Sequence, residues 1–143
     1  MRFLLASTPA TGHLNPLLSI GRVLIAAGHE VAVLTSGMFR RNVEEIGAHF
    51  LSLPAGADID FRRIETVIPN IAQIPMGPPR RIAMLTRLFI DVVPAQSAGL
   101  DAALEQFAAD AILVDNTFFG MFPMLLGQAT ARPPVAVCGT MFL

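Results

Sequence analysis

The chain is 143 residues long, enough for one hydrophobic core, and carries a formal net charge of −1. Its basic residues are scattered and leave no electrostatic footprint for nucleic acid. The one cysteine, Cys138, excludes an intrachain disulfide and any multi-cysteine metal site. Apolar residues make up 53% of the chain and charged ones 15%, and the mean hydropathy of +0.58 is high for a self-contained domain. Part of that apolar surface is expected to meet something else.

The apolar surplus does not read as a membrane span. A spanning helix needs roughly 18 to 20 uninterrupted apolar residues. The uncharged run Asn116 to Ala131 contains Asn116, Thr117, Pro123, Gln128 and Thr130, and it reads as a buried segment. Met1 to Ala6 faintly suggests a signal peptide, but Pro9, Gly12, His13 and Pro16 interrupt it. The expectation is a cytoplasmic protein without membrane association.

In chain order, Phe3 to Ser7 is a short apolar strand. Asn15 followed by Pro16 predicts an N-cap and a first helical residue. Leu17, Ile20, Leu24 and Ala27 then recur at helical spacing until Gly28, where a left-handed residue is cheapest. Val31 to Thr35 is a second strand. Ser36 can cap a second helix with Phe39, Val43 and Ile46 on one face, stopped by Gly47, and Phe50 to Leu53 is a third strand. Prolines and glycines from Pro54 to Pro79 then break up some 25 residues.

Helical spacing resumes with Ile82, Leu85, Phe89 and Val92, and continues beyond Pro94 with Leu100, Leu104 and Phe107. Two helices or one kinked helix fit equally. Ala111 to Asp115 is a fourth strand, a helix is expected through about Thr130, and Pro134 to Cys138 is a fifth strand. Short apolar strands alternating with helices predict an α/β fold, a doubly wound, Rossmann-like parallel sheet. Right-handed crossovers give the strand order 3-2-1-4-5.

Ligands of such sheets bind beyond the carboxyl ends of the strands where the winding reverses, here between strands 1 and 4. The segment after strand 1 carries His13, and strand 4 ends in Asp115, so the two are predicted to meet. His29, His49 and Asp110 sit at the amino ends and cannot reach that crevice. An imidazole there can take a proton at neutral pH, with the carboxylate fixing its tautomer. Nothing in the same turn is placed as an enzyme nucleophile, so the nucleophile should belong to a substrate. A plainer reading has His13 bonding backbone in its turn and Asp115 capping the helix that follows; on spacing alone the two readings stand level. The turn "TPATGHLNP" lacks the G-x-G-x-x-G of dinucleotide sites, which argues against a nicotinamide or flavin. Cys138, in the apolar "VAVC", reads as a small buried hydrophobe in preference to a nucleophile.

The run "TGHLNPLLSIGRVLIAAGHEVAVLT" resembles the amino-terminal segment of the family 1 nucleotide-sugar-dependent glycosyltransferases of the GT-B class, and "GAHFLSLP" and "AILVDNTFFG" continue the similarity. The resemblance implies an inverting transfer of a sugar from a UDP- or TDP-sugar co-substrate to a hydroxyl of a small acceptor, with no cofactor or required metal. By position, His13 matches the family's general base and Asp115 its partner carboxylate. Thr11 and Gly12 are candidates for donor contacts. Met76, Met84, Phe118, Phe119 and Met121 are candidates to line an apolar acceptor pocket, although Met and Phe are also common core residues.

Family members have two Rossmann-like domains, the second holding most of the nucleotide-sugar site. Residues 1–143 are therefore expected to be an amino-terminal acceptor-binding domain, itself incomplete, with the carboxy-terminal domain outside this chain. That missing partner surface would account for the apolar surplus. The leading reading is half of a glycosyltransferase for a lipophilic natural product such as an antibiotic. One rival is a non-catalytic binding subunit of a split enzyme that needs a partner chain. Another is a transferase acting on a cell-wall lipid, though its first loop is usually richer in glycine than "TPATGH".

Overall fold

The computed structural model describes residues 1–127 and 132–139. Five parallel strands form one sheet in the order β3-β2-β1-β4-β5. They are β1 (Arg2–Ala6), β2 (Glu30–Thr35), β3 (His49–Ser52), β4 (Ala111–Asp115) and β5 (Val135–Cys138). Helices α1 (Thr11–Ala26) and α2 (Arg40–Glu44) connect the first three strands. The chain then passes through α3 (Ile64–Val67), α4 (Pro78–Leu85) and α5 (Val93–Gln106) to β4, and α6 (Phe122–Leu126) leads toward β5. This is the predicted doubly wound order.

Alternation along the strands divides the core into two layers, because successive side chains point to opposite faces. Leu4, Ala6, Ala32, Leu34, Ile112 and Val114 pack against Leu100 and Ala103 of α5 and Phe107 just beyond its end. Leu5, Val31 and Val33 pack against Leu14, Leu17 and Leu18 of α1 and Val43 of α2. Right-handed crossovers in opposite directions from β1 put α1 and α5 on opposite faces. The winding therefore reverses between β1 and β4, and by the same parity Asp115 points to the α1 side.

Helix α1 starts five residues before the predicted Pro16, with Ala10 as its N-cap and Pro16 inside it. The extra turn buries Leu14 completely, one turn before Leu17 and Leu18, and that burial offsets the hydrogen bond Pro16 cannot donate. The buried face is Leu14, Leu17, Leu18 and Gly21, with Ile20 and Leu24 at its margin. As predicted, Gly28 follows the helix with φ +80°, its N–H donating to the Ile25 carbonyl.

The Ser36 side chain accepts from the Met38 N–H and caps a 3-10 turn, Gly37–Phe39, that runs into α2. Between α4 and α5, residues Thr86–Ile90 form a π-helical turn, with the Asp91 N–H bonded to the Thr86 carbonyl. Pro94 stands in the first turn of α5, so the segment is two helices. The wide turn shifts the helical phase, so that Leu88 and Val92 are buried beside Ile59 while Ile82, Leu85 and Ile90 are exposed. After β4, a 3-10 turn (Phe119–Met121) and α6 end at Leu126; the predicted continuation to Thr130 lies outside the described residues. Among the described residues no helix is long and apolar enough to cross a membrane.

Candidate active site

Asp115, the last residue of β4, is fully buried. Its carboxylate is held by groups from three segments. The Thr8 N–H donates to Oδ2 at 2.5 Å. Oδ1 accepts from the Thr117 N–H at 2.8 Å and from the Thr117 hydroxyl at 2.6 Å, and it lies 3.1 Å from Nδ1 of His13. Thr117 Oγ1 is also 3.2 Å from His13 Nδ1 and 3.0 Å from Thr8 Oγ1.

Each position follows from the chain path. Thr8 stands two residues beyond β1, the strand paired with β4. His13 is in the first turn of α1, the helix that covers the Asp115 side of the sheet, and its side chain is 25% exposed. Thr117 closes an Asx-type turn in which Asp115 accepts from the N–H two residues on. Asp115 thus closes its own turn, without capping the helical segments that follow, and also meets His13.

Burial opposes the charge of Asp115, but the bonds from His13, Thr117 and Thr8 outweigh it and hold the carboxyl below its ordinary range. An ionised carboxylate only accepts, so the proton of a neutral His13 belongs on Nδ1. Nε2 is then the basic nitrogen.

The lowered value also fixes the sign of an acid effect. The stabilisation from Asp115 is full above the unfolded value of about 3.9 and is lost as the pH falls through the lower folded value. Denaturant titrations across that range should show wild-type stability falling more steeply with acid than that of Asp115→Asn; equal slopes would contradict the assignment.

The control residues lie at the other edge. His29 packs on Phe3, with ring centroids 5.2 Å apart, and His49 on Phe107 at 5.9 Å. The Asp110 carboxylate accepts from the Arg2 N–H at 2.7 Å. Cys138 is the register partner of Asp115 on β5. Burial, with the nearby Asp115 charge adding to it, pushes the Cys138 thiol up, so it is no activated thiolate.

Leu85, Phe89, Ile90, Thr117 and Phe119 line an open apolar recess of about 390 Å³, and Thr117 ties it to the His13–Asp115 pair. A smaller recess of about 140 Å³ includes Pro9, Ala10 and Thr11 at the start of α1, together with Asp60 and Arg62. Thr11 and Gly12 are exposed at the first two positions of α1.

Of the candidates for the apolar pocket, Phe119 lines the larger recess. Phe118 does not: it is fully buried in the α5-side core, as is nearly all of Met121. Met84 packs against the small cluster of Ile59, Leu88 and Val92, and Met76 is 77% exposed. Neither Met84 nor Met76 is in the recess wall. Leu85, Phe89 and Ile90 were not predicted as wall residues, because the π-helical turn that follows Leu85 and holds Phe89 and Ile90 has no composition signature. Thr8 and Thr117 were also missed, although "STP" directly after a strand and "DNT" at a strand end are readable turn signals.

No family model matches the chain. It is 36% identical to UDP-glycosyltransferase 2 of Phaeomoniella chlamydospora over 134 residues, 91% of this chain and 29% of that protein. It is 35% identical to 4'-demethylrebeccamycin synthase of Lentzea aerocolonigenes over 119 residues, 83% of this chain and 28% of that one. The chain thus spans less than a third of the length of these curated relatives. Among solved structures, the calicheamicin glycosyltransferase CalG4 superposes with a TM-score of 0.69 at 16% identity, over 96% of this chain and 32% of its own. SsfS6 of Streptomyces sp. SF2575 also gives 0.69, at 20% identity, over 97% and 39%. Sequence and fold together make this chain a homologue of the amino-terminal domain of the family 1, GT-B glycosyltransferases.

Proposed function

We propose that residues 1–143 are the acceptor-side domain of an inverting, cytoplasmic glycosyltransferase. The observation that carries this reading is an imidazole tethered by a buried carboxylate beside an apolar recess. The recess takes a lipophilic small molecule and brings its hydroxyl to Nε2 of His13. That hydroxyl proton passes to Nε2 while the oxygen bonds to the anomeric carbon of the donor. The bond from that carbon to the diphosphate breaks, the nucleoside diphosphate leaves with the electron pair, and the sugar centre inverts. Asp115 stays ionised and stabilises the imidazolium.

The donor is a UDP- or TDP-sugar. Relatives carry UDP-glycosyltransferase names, and one structure of SsfS6 is a complex with thymidine diphosphate. Thr11 and Gly12 precede the first N–H bonded along the helix, that of His13 to the Ala10 carbonyl, so their own N–H groups are placed to bond a donor phosphate. Most of the nucleotide site belongs to a second, carboxy-terminal domain.

The test is transfer of radiolabelled sugar from a panel of nucleotide sugars, by the chain alone and by the chain joined to the donor domain of a relative. The chain alone should show negligible transfer and the joined protein should turn over. Robust turnover by the chain alone would refute the division between two domains. Acceptor binding without turnover in the joined, folded protein would favour the non-catalytic binding subunit.

A further inference from the structure

We propose that Thr117 is a positioning residue for the His13–Asp115 pair, holding the proton on Nδ1 of His13 through its side-chain hydroxyl. The inference rests on the reading of that pair as the acceptor base.

Thr117 touches both members of the pair. Its hydroxyl reaches Asp115 Oδ1 at 2.6 Å, and the same oxygen stands 3.2 Å from His13 Nδ1. A hydroxyl has one proton and two lone pairs. With the proton committed to the carboxylate, Thr117 Oγ1 is an acceptor toward His13, and Thr8 Oγ1 lies 3.0 Å away. Nδ1 therefore faces two acceptors, Asp115 Oδ1 and Thr117 Oγ1.

Every bond in this set is satisfied when Nδ1 carries the proton. Moving the proton to Nε2 would leave a bare nitrogen against a carboxylate. Otherwise the Thr117 hydroxyl would have to turn away from Asp115 to donate to Nδ1. The hydroxyl thus makes the unproductive tautomer cost two contacts in place of one. Its effect is separable from the turn, because the turn is closed by the Thr117 backbone N–H, which any residue but proline supplies. Thr117 also lines the apolar recess, so an acceptor there lies beside the residue that sets the tautomer of its base.

The experiment is ¹⁵N NMR of the imidazole-labelled chain, with His13→Gln assigning the resonance, on wild type, Thr117→Val and Thr117→Ser. Wild type should show His13 as the Nδ1–H tautomer. In Thr117→Val the ratio of Nδ1–H to Nε2–H should fall about 5- to 10-fold, the scale of one hydrogen bond, and Asp115 should titrate higher. Thr117→Ser should restore both. Thr117→Ala deletes the same hydroxyl and should give the same shift if the valine variant does not fold. In the active joined protein, Thr117→Val should lower kcat with KM for the donor unchanged. A valine or alanine variant with the wild-type tautomer and the wild-type Asp115 titration would overturn the role of Thr117 and leave the pair standing. Failure of serine to restore the tautomer would assign the effect to side-chain shape and also overturn it. Wild-type His13 found as Nε2–H would remove the pair and the proposal together.

Discussion

Gly120→Ala should destabilise the chain by about 3 kcal/mol, at the upper end of what overpacking usually costs. A Cβ on Gly120 would lie 2.3 Å from Gln96 Cβ, 2.7 Å from the Gln96 carbonyl carbon and 2.9 Å from the Ser97 nitrogen. Two of those atoms are backbone of α5, so no side-chain rotation relieves the overlap. Either α5 or the turn after β4 must move. Separation also breaks the bond in which the Gly120 N–H donates to Gln96 Oε1 at 2.9 Å. Gln96 is only 1% exposed, and a buried amide left unpaired costs a further ~1 to 3 kcal/mol. The same turn carries Thr117 and Phe119, so its displacement should disturb the pair and the recess together. Urea unfolding of Gly120→Ala against Gly12→Ala checks this, since a Cβ at Gly12 meets nothing within 4 Å. The Gly12 variant should unfold at or above the wild-type midpoint. A wild-type midpoint for Gly120→Ala would show that the turn and α5 are less tightly joined than the structure has them.

Sequence pattern carried the parts of this molecule that obey periodicity and chirality. β4 is bounded at Ala111 and Asp115 as its apolar run predicts, and right-handed crossovers sufficed for the order of all five strands. The meeting of His13 and Asp115 followed, because topology alone brings the carboxyl ends of β1 and β4 side by side. The errors arose where a local rule competed with packing. Asn15-Pro16 is a good helix start, yet burial of Leu14 extends α1 back to Thr11 and puts His13 inside a helix. The spacing Ile82, Leu85, Phe89, Val92 assumes a constant 3.6-residue period, and the π-helical turn breaks it after Leu85. Phe118 and Phe119 are adjacent and chemically alike; only the turn after Asp115 decides that one enters the core and the other the recess wall. The contact between Thr8 and Thr117 joins residues more than a hundred positions apart, and the local turn signal at each does not encode that meeting.

On the proposed reading, His13 takes the acceptor proton and Asp115 holds it in the state to do so. If so, the imidazole contributes chiefly in the transition state, and its loss should lower kcat and kcat/KM together while the donor still binds. General-base action of this kind is worth about 10² to 10⁴ in rate. Asp115→Asn preserves the shape of the site but disturbs the tautomer, so its defect should be comparable to or smaller than that of removing the base. The most direct measurement is steady-state kinetics of His13→Ala in the active two-domain protein, with donor affinity measured by calorimetry. A fall in kcat of at least about 10²-fold with unchanged donor affinity is the predicted result. Wild-type turnover by a folded His13→Ala protein would contradict the account and leave His13 a helix-start residue with no part in proton transfer.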